Sequence, residues 1–134
     1  MPALDPDSIH EASGAAVAEI SREVVRVHAR YYGRGPTKAK TVWRNDIVVV
    51  VLEEVFTKAE LVLVEAGRFE QVRAHRQAFQ DEIEPLLRQI VERATGRRVR
   101  AFLSQVSGEN RGIASEVFVL HGEAELPGLG PLKA

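Results

Sequence analysis

The stretch Ile47-Val48-Val49-Val50-Val51-Leu52 decides the fold of this 134-residue chain. It is apolar throughout and β-branched at five of six positions, which predicts a strand covered on both faces. Six residues are too few to cross a bilayer as a helix, which takes about 20. The preceding segment, Lys38–Arg44, alternates in a strand-like way, and Asn45-Asp46 has the composition of a turn. The two segments are therefore predicted to form a β-hairpin.

A helical pattern precedes this hairpin. Between residues 9 and 32, apolar side chains recur at spacings of three and four and form one stripe. The stripe consists of Val17, Ile20, Val24, Val27 and Tyr31. Gly33 follows it as a predicted C-terminal cap, and Pro36 prevents the helix from restarting nearby.

A longer helical pattern follows the hairpin. Thr57-Lys58-Ala59-Glu60 has the form of a capping box, in which the threonine hydroxyl and the glutamate carboxylate each accept from the other residue's backbone amide. The pattern continues almost to Thr95 and is interrupted by Gly67 and Pro85. Because proline lacks the backbone donor, Pro85 is predicted to kink or split the helix near residues 81–84.

Two further strands complete the pattern. Residues 98–106 and 114–121 alternate, and the loop between them is rich in glycine, asparagine and serine, which indicates a second hairpin. Helix, hairpin, long helix and hairpin together predict a two-layer α+β domain with a four-stranded antiparallel sheet. We expect a flexible N-terminus at 1–8, one domain at 9–121 and a flexible C-terminal tail at 122–134.

The predicted sheet is apolar at neighbouring as well as alternating positions, so both of its faces should be apolar. We expect some of six residues to point away from the helices: Val48, Val50, Leu52, Phe102, Phe118 and Leu120. A sheet with two apolar faces rarely remains solvated. The sequence therefore predicts a homodimer, either sheet to sheet or with a helix that crosses from the partner.

The net charge of −1 hides an uneven distribution of charge. Acidic segments flank a basic block, and the block is the candidate binding surface: Arg22, Arg26, Arg30, Arg34, Lys38, Lys40 and Arg44. Such a block suits an acidic or phosphate-bearing partner, and the alternative is a solvated face that complements acidic residues within a dimer. The sequence shows no secretory signal pattern, so we expect a cytoplasmic protein.

No catalytic or cofactor motif is evident in the sequence. The chain has no cysteine, its histidines lack the spacing of a helical metal pair, and its serines lie outside G-x-S-x-G. We therefore predict lone surface histidines: His10, His28, His75 and His121. We expect a non-enzymatic protein without a metal or cofactor. The aromatic content of 6% and the lack of a known motif argue against nucleic acid as a partner.

Several separated blocks resemble the MpsC-type proteins, which are small bacterial proteins described as a domain of unknown function. The blocks are residues 32–39 (YGRGPTKA), 47–52 (IVVVVL), 52–60 (LEEVFTKAE), 94–99 (ATGRRV) and 116–120 (EVFVL). They spread the resemblance over roughly residues 10–121. The family is named for a Na⁺-translocating, membrane-potential-generating system. The resemblance thus implies an accessory role beside membrane proteins that move ions or bicarbonate.

Two functions are therefore expected from the sequence. The first is a soluble, homodimeric accessory or interaction protein, located in the cytoplasm or at the inner face of the membrane. Its partner would be a membrane transport protein or another protein. The alternative is a regulatory domain that binds a small ligand, either between a hairpin and a helix or at the dimer interface.

Overall fold

A computed structural model describes residues 6–122, with side chains described from residue 13 onward. The elements are α1 (Pro6–Tyr32), β1 (Lys38–Arg44), β2 (Ile47–Glu53), α2 (Lys58–Glu65), α3 (Phe69–Thr95), β3 (Val99–Ser107) and β4 (Ile113–Leu120). This order and the antiparallel four-stranded sheet confirm the predicted α+β class. Helix α1 begins at Pro6, within the predicted flexible N-terminus. The predicted C-terminal tail after Gly122 lies outside the described residues.

The two hairpins join at the centre of the sheet. The strand order is β1-β2-β4-β3, so β1 and β3 form the edges. Strands β2 and β4 pair antiparallel, with Ile47 opposite Val119 and Glu53 opposite Ile113. Both central strands therefore have hydrogen-bonded neighbours on each side, as expected for the apolar run of β2.

Helices α1 and α3 cover one face of the sheet. Helix α1 buries every fourth residue along one side: Ala16, Ile20, Val24 and His28. This spacing keeps the buried side chains on a single helical face. They pack with apolar residues of α3 such as Leu87 and with the inward side chains of β2 and β4 to form one core.

The residues on the covered face of the sheet differ from one prediction, which concerned the direction of six apolar side chains. Val48, Val50, Leu52, Phe118 and Leu120 are at most 1% exposed and lie beneath the helices. Phe102 lies on the same face, because it is paired with Phe118 in the β3–β4 register. The expectation that some of these six residues point away from the helices is therefore wrong. They share one face because side chains alternate along a strand with a period of two.

The opposite face of the sheet consists of the alternate residues, and we call it the open face. Its exposed members include Val42, Ile47 and Leu103, which are 49%, 41% and 57% exposed. No described element covers this face, since α1 and α3 both lie on the other side. The open face therefore has an apolar centre, formed by other residues than those predicted, whereas its β1 edge carries Lys38, Lys40 and Arg44.

The second helical pattern is divided differently from the prediction. The capping box of Thr57 and Glu60 is confirmed at the start of α2. Helix α2 ends at Glu65, and Gly67 with a φ of +79° separates it from α3. Helix α3 then continues through Pro85 without a break, so the predicted split is wrong. Pro85 and Asp81 are both exposed, so water can reach the backbone carbonyl that loses its helical partner.

Candidate functional site

Three connecting segments meet at the end of the sheet where β2 stops, which we call the Phe56 end. Arg34, after α1, donates from Nη1 to the backbone oxygen of Phe56 at 2.7 Å. The amides of Val55 and Phe56 donate to the carbonyls of Gly112 and Arg111, in the loop before β4. The backbone of the β2–α2 connection is therefore held from both neighbouring segments.

A buried ion pair lies directly beneath this end. Arg76 of α3 donates from Nε to Oε2 of Glu60 at 2.8 Å and from Nη2 to Oε1 at 2.7 Å. Nη2 also donates to the carbonyl oxygen of Val55 at 2.7 Å. Burial raises the pKa of Glu60, but hydrogen bonds from Arg76 and Thr57 and the charge of Arg76 outweigh burial and hold the pKa below its usual 4.5. Glu60 therefore remains ionised at neutral pH.

Tyr32 connects the ion pair to a second polar group. The guanidinium carbon of Arg76 lies 4.2 Å from the centroid of the Tyr32 ring, within cation–π range. Gln80 donates from Nε2 to the Tyr32 hydroxyl at 3.2 Å. Burial raises the pKa of the Tyr32 phenol to about 12, in spite of the opposing charge of Arg76 and the Gln80 hydrogen bond. The phenol is therefore neutral at physiological pH.

A histidine–glutamate pair lies deeper, between α1 and β4. Nε2 of His28 is 3.2 Å from Oε1 of Glu116, and the two side chains are 1% and 0% exposed. The His28 ring also stacks on Tyr32, with centroids 5.3 Å apart. Among the described residues, Nδ1 of His28, Oε2 of Glu116 and Oε1 of Gln80 have no hydrogen-bond partner. Glu60, Arg76, Tyr32 and Gln80 form a polar network, and the His28–Glu116 pair extends this network into the core. Oε2 of Glu116 and Oε1 of Gln80 remain there as hydrogen-bond acceptors without a described donor.

Two cavities flank this network. A polar cavity of about 120 Å³ lies between α3 and strands β3 and β4, and Arg76 and Gln80 line it. An apolar groove of about 390 Å³ lies between α1, α2 and α3, with Tyr31, His75 and Phe79 among its lining residues. The ion pair lies between them, because Arg76 lines the first and Glu60 the second. Among the described side chains, no group of three histidines or carboxylates is placed to hold a metal ion.

The structure distributes the predicted basic surface over three places. The α1 residues Arg22, Arg26 and Arg30 are exposed, and they lie opposite the buried stripe on the helical layer. Lys38, Lys40 and Arg44 are exposed and alternate with inward residues on β1, so they lie on the open face. Arg34 is partly buried and holds the Phe56 end. The helical and strand groups therefore face opposite sides of the domain.

The polar network was not predicted from the sequence. His28 and His121 are 1% and 8% exposed, so the prediction of lone surface histidines is wrong for both. His75 is exposed, and the side chain of His10 lies outside the description. A signal was present, since His28 continues the i, i+4 series of Ile20 and Val24. The predicted stripe instead ended on Tyr31, which is 38% exposed.

Comparison with known proteins gives a family assignment. A family model described as "Na+-translocating membrane potential-generating system (MpsC)" matches residues 12–122, which is most of the chain. The chain belongs to the MpsC family. A relative is the uncharacterized protein YbcI of Bacillus subtilis (strain 168), 28% identical over 118 residues that cover 86% of this chain and 93% of YbcI. No solved structure matches the chain.

The MpsC assignment confirms the resemblance predicted from the sequence. Residues 32–39 and 52–60, two of the blocks that carry it, meet at the Phe56 end through the hydrogen bond from Arg34 to Phe56. Tyr32 and Glu60, within those blocks, both contact Arg76. None of the described helices combines the length and apolarity that a membrane span requires.

Proposed function

We propose that this MpsC-family chain is a non-enzymatic accessory protein of a membrane system that moves ions. The family description names a Na⁺-translocating membrane potential-generating system, which supports this setting, and a bicarbonate-linked system is a related setting. In this proposal the chain lies in the cytoplasm, at the inner face of the membrane, and acts by binding protein subunits.

The open face of the sheet is the observation that carries the proposal. Val49 and Val117 pair across its centre, and Val42 and Leu103 extend it onto the two edge strands. Isolated apolar side chains on a surface are ordinary, but a continuous apolar patch is typical of an interaction site. The chemistry of this face therefore supports a protein-binding role.

The occupant that we propose for the open face is a second copy of this chain. Four strands about 4.8 Å apart, of seven to nine residues each with a rise of about 3.3 Å, give a plan area of about 490 Å². Projecting side chains raise the accessible area toward the value of about 800 Å² per partner found in specific interfaces. Two such faces can pack as aligned sheets with interdigitating side chains.

The charges on the open face favour one arrangement of the two copies. Lys38, Lys40 and Arg44 all lie on β1, whereas β3 carries one exposed basic residue, Arg100, beside the neutral Leu103 and Gln105. Placing β1 against β1 would bring like charges together, which is unfavourable. We therefore expect β1 of one copy to lie over β3 of the other, with a two-fold axis parallel to the strands.

Sedimentation velocity on the full chain tests the dimer. The wild type should sediment as a dimer at micromolar concentration, and Val117→Lys should sediment as a monomer. The Val117 variant should keep its fold, because the side chain points to the open face, where a lysine can extend into water. Val62→Lys is the matched control, since Val62 is 64% exposed on α2, outside the sheet.

Two results would overturn the dimer. One is a monomeric wild type at micromolar concentration. The other is a dimer that survives Val117→Lys with unchanged stability and unchanged circular dichroism. If Val62→Lys dissociates the dimer instead, the interface lies on the helical layer.

The outer side of α1 is the surface that we propose for an acidic partner at the membrane. Arg22, Arg26 and Arg30 are spaced four residues apart and exposed there. Replacing all three with glutamate should abolish co-sedimentation with native membrane vesicles. The matched control replaces three other exposed arginines that lie outside the sheet, Arg68, Arg93 and Arg98, and should leave co-sedimentation unchanged. Equal loss in both triple variants would remove α1 as the contact surface.

A second candidate function is a regulatory domain that binds a small ligand. The polar cavity between α3 and the β3–β4 hairpin favours it, because charged and amide side chains such as Arg73, Arg76 and Gln80 line it. Binding sites for small molecules combine a concave shape with a few placed polar groups.

A further inference from the structure

Strand β1 is an edge of the sheet, and its outer side has no strand neighbour in the described part of the chain. Its pairing with β2 is regular over all seven residues, from Lys38 to Arg44. Strand β3, the other edge, has a register shift between Val99 and Ala101. Because such irregularities twist an edge strand and hinder further pairing, β1 is the edge better suited to accept another strand.

The turn between β1 and β2 determines which backbone groups face the outer side of β1. Residues 45–46 form a two-residue turn, so Arg44 and Ile47 are the hydrogen-bonded pair that closes the hairpin. Hydrogen-bonded and non-hydrogen-bonded pairs alternate along an antiparallel ladder, so every second residue of β1 directs its amide and carbonyl away from β2. These residues are Ala39, Thr41 and Trp43.

The other residues of β1 carry its positive charge. Lys38, Lys40 and Arg44 are exposed at alternate positions, with Val42 among them. Opposite an added strand they occupy the non-hydrogen-bonded positions, where facing side chains lie closest. Opposite charges at facing positions stabilise strand pairing and like charges oppose it. The basic residues therefore hinder pairing of β1 with a second copy of itself and favour a strand with acidic residues at alternate positions.

Helix α1 leaves space beside the outer side of β1. The hydroxyl oxygens of Ser21 and Thr41 are 2.7 Å apart, which places this side of α1 next to the strand. Gly14 and Ala18 lie on the same side of the helix as Ser21, and both are exposed. Their small size leaves room for those side chains of an added strand that point to the covered face of the sheet.

We propose that β1 binds an extended acidic segment of a partner protein, which joins the sheet as a fifth strand. The backbone of the segment pairs with the amides and carbonyls directed away from β2, and its acidic side chains face the basic side chains of β1. In strand addition, main-chain hydrogen bonds give affinity and alternate side chains give specificity. The inference rests on the proposed protein-binding role but not on the dimer, which uses the side chains of the open face.

Fluorescence anisotropy with synthetic peptides and the full chain tests the inference. The probe is Thr-Glu-Thr-Val-Thr-Glu-Thr-Glu-Thr, which in antiparallel pairing sets valine opposite Val42 and a glutamate opposite each basic residue of β1. The probe should bind saturably. A peptide of the same composition with its glutamates consecutive should bind about threefold more weakly or worse, because at most two of them then share a face.

Backbone methylation separates strand addition from simple charge attraction. N-methyl groups on the third, fifth and seventh residues of the probe block the amides that face β1 and should abolish binding. N-methyl groups on the glutamates should leave the Kd within about twofold, because those amides point away from β1. The two methylated peptides carry the same charge, so equal affinities would overturn the inference.

Variants and hydrogen exchange locate the site. Lys40→Glu should weaken probe binding about tenfold, and it should fold normally because Lys40 is exposed. Arg93→Glu is the matched control and should leave the Kd unchanged, since Arg93 is exposed in the last turn of α3. In the wild type, bound probe should slow hydrogen exchange at the amides of Ala39, Thr41 and Trp43.

Three results would overturn the inference. They are no saturable binding of the probe, unchanged exchange at the outward amides of β1, and a loss of affinity in Arg93→Glu that equals the loss in Lys40→Glu. Sedimentation velocity on the same samples reports the dimer, and co-sedimentation with membrane vesicles reports the role of α1. Each proposal can therefore fail without the others.

Discussion

The guanidinium of Arg76 meets the carboxylate of Glu60 with two parallel hydrogen bonds of 2.8 and 2.7 Å. Glu60 also closes the capping box of α2, because it accepts from the amide of Thr57 at 2.9 Å. One carboxylate therefore fixes the start of α2 and neutralises the buried charge of α3. A group with two such roles should dominate the response of the fold to acid.

The first prediction concerns acid stability. Because the pKa of Glu60 is lowered in the folded state, its contribution to stability is present above the ordinary pKa of 4.5 and is lost as pH falls through the folded-state pKa. Urea unfolding from neutral pH downward should show the free energy of unfolding decline below about pH 4.5. Glu60→Gln should cost about 3 kcal/mol at pH 7, since Arg76 loses its charge partner, and should flatten the decline.

Glu70→Gln is the matched control for this prediction. It removes a carboxylate that also pairs with an arginine of α3, but on the exposed surface. We expect a change within about 0.5 kcal/mol and an unchanged acid profile. An acid profile that is the same in Glu60→Gln and in the wild type would contradict the assigned role of Glu60.

The second prediction concerns alkaline stability. The pKa of Tyr32 is raised from 10.0 to about 12 in the folded state, so its contribution is fully present below pH 10 and is lost as pH rises through about 12. Ultraviolet titration of the folded protein should show one phenol that ionises at about pH 12. This transition should be missing in Tyr32→Phe. If Tyr32→Phe instead removes a transition near pH 10, then Tyr32 ionises at the ordinary pKa of a phenol and burial does not hold it neutral.

The third prediction concerns the coupling between His28 and Glu116. His28→Leu leaves the buried Glu116 carboxylate without a described partner and should cost about 3 kcal/mol. Glu116→Leu should cost a similar amount. The double variant should lose at least about 1 kcal/mol less than the sum, because the second change removes the group that the first left unpaired. Additive losses in urea unfolding would exclude direct coupling.

The fourth prediction concerns Gly112 at the Phe56 end. A Cβ atom at Gly112 would lie 2.7 Å from the Phe56 ring, and the backbone φ is +96°. Gly112→Ala should therefore combine a backbone cost with a packing cost and destabilise the fold by about 3 kcal/mol. Gly67→Ala is the control, because Gly67 has a φ of +79° but no atom within 4 Å of its Cβ position. We expect about 1 kcal/mol there, and equal losses would exclude the steric contact with Phe56.

Local signals predicted most of the fold. Two features depend only on residues close together in the sequence and could therefore be predicted from it. They are the capping box of Thr57 and Glu60 and the uniform apolar run of β2. The predicted split at Pro85 is wrong because the cost of the proline depends on whether solvent reaches the preceding turn, which only the packing of α3 decides. The pairing of β2 with β4 joins residues 60 to 72 positions apart, and no local pattern fixed it.

The polar network was harder to predict than the fold. Arg76, Gln80 and His28 are polar residue types that usually lie on a surface, and tertiary contacts decide that they are buried here. Glu116 did carry a signal, because it alternates with Ala114 and Phe118 along β4 and therefore shares their face. The basic block could be recognised as a run of residues in the sequence. It does not form one surface, because the chain turns between its helical part on α1 and its strand part on β1.

The central position of β4 has a consequence for biosynthesis. Strand β2 has β1 on one side, but its other side receives a partner only when the last strand of the fold has been made. Until then a nascent chain displays an unpaired edge composed almost wholly of β-branched residues, which is the kind of edge that pairs with other chains. A ribosome stalled before residue 113 should therefore carry an aggregation-prone intermediate that recruits chaperones. Once β4 has been synthesised and released, it pairs with β2 and removes the exposed edge.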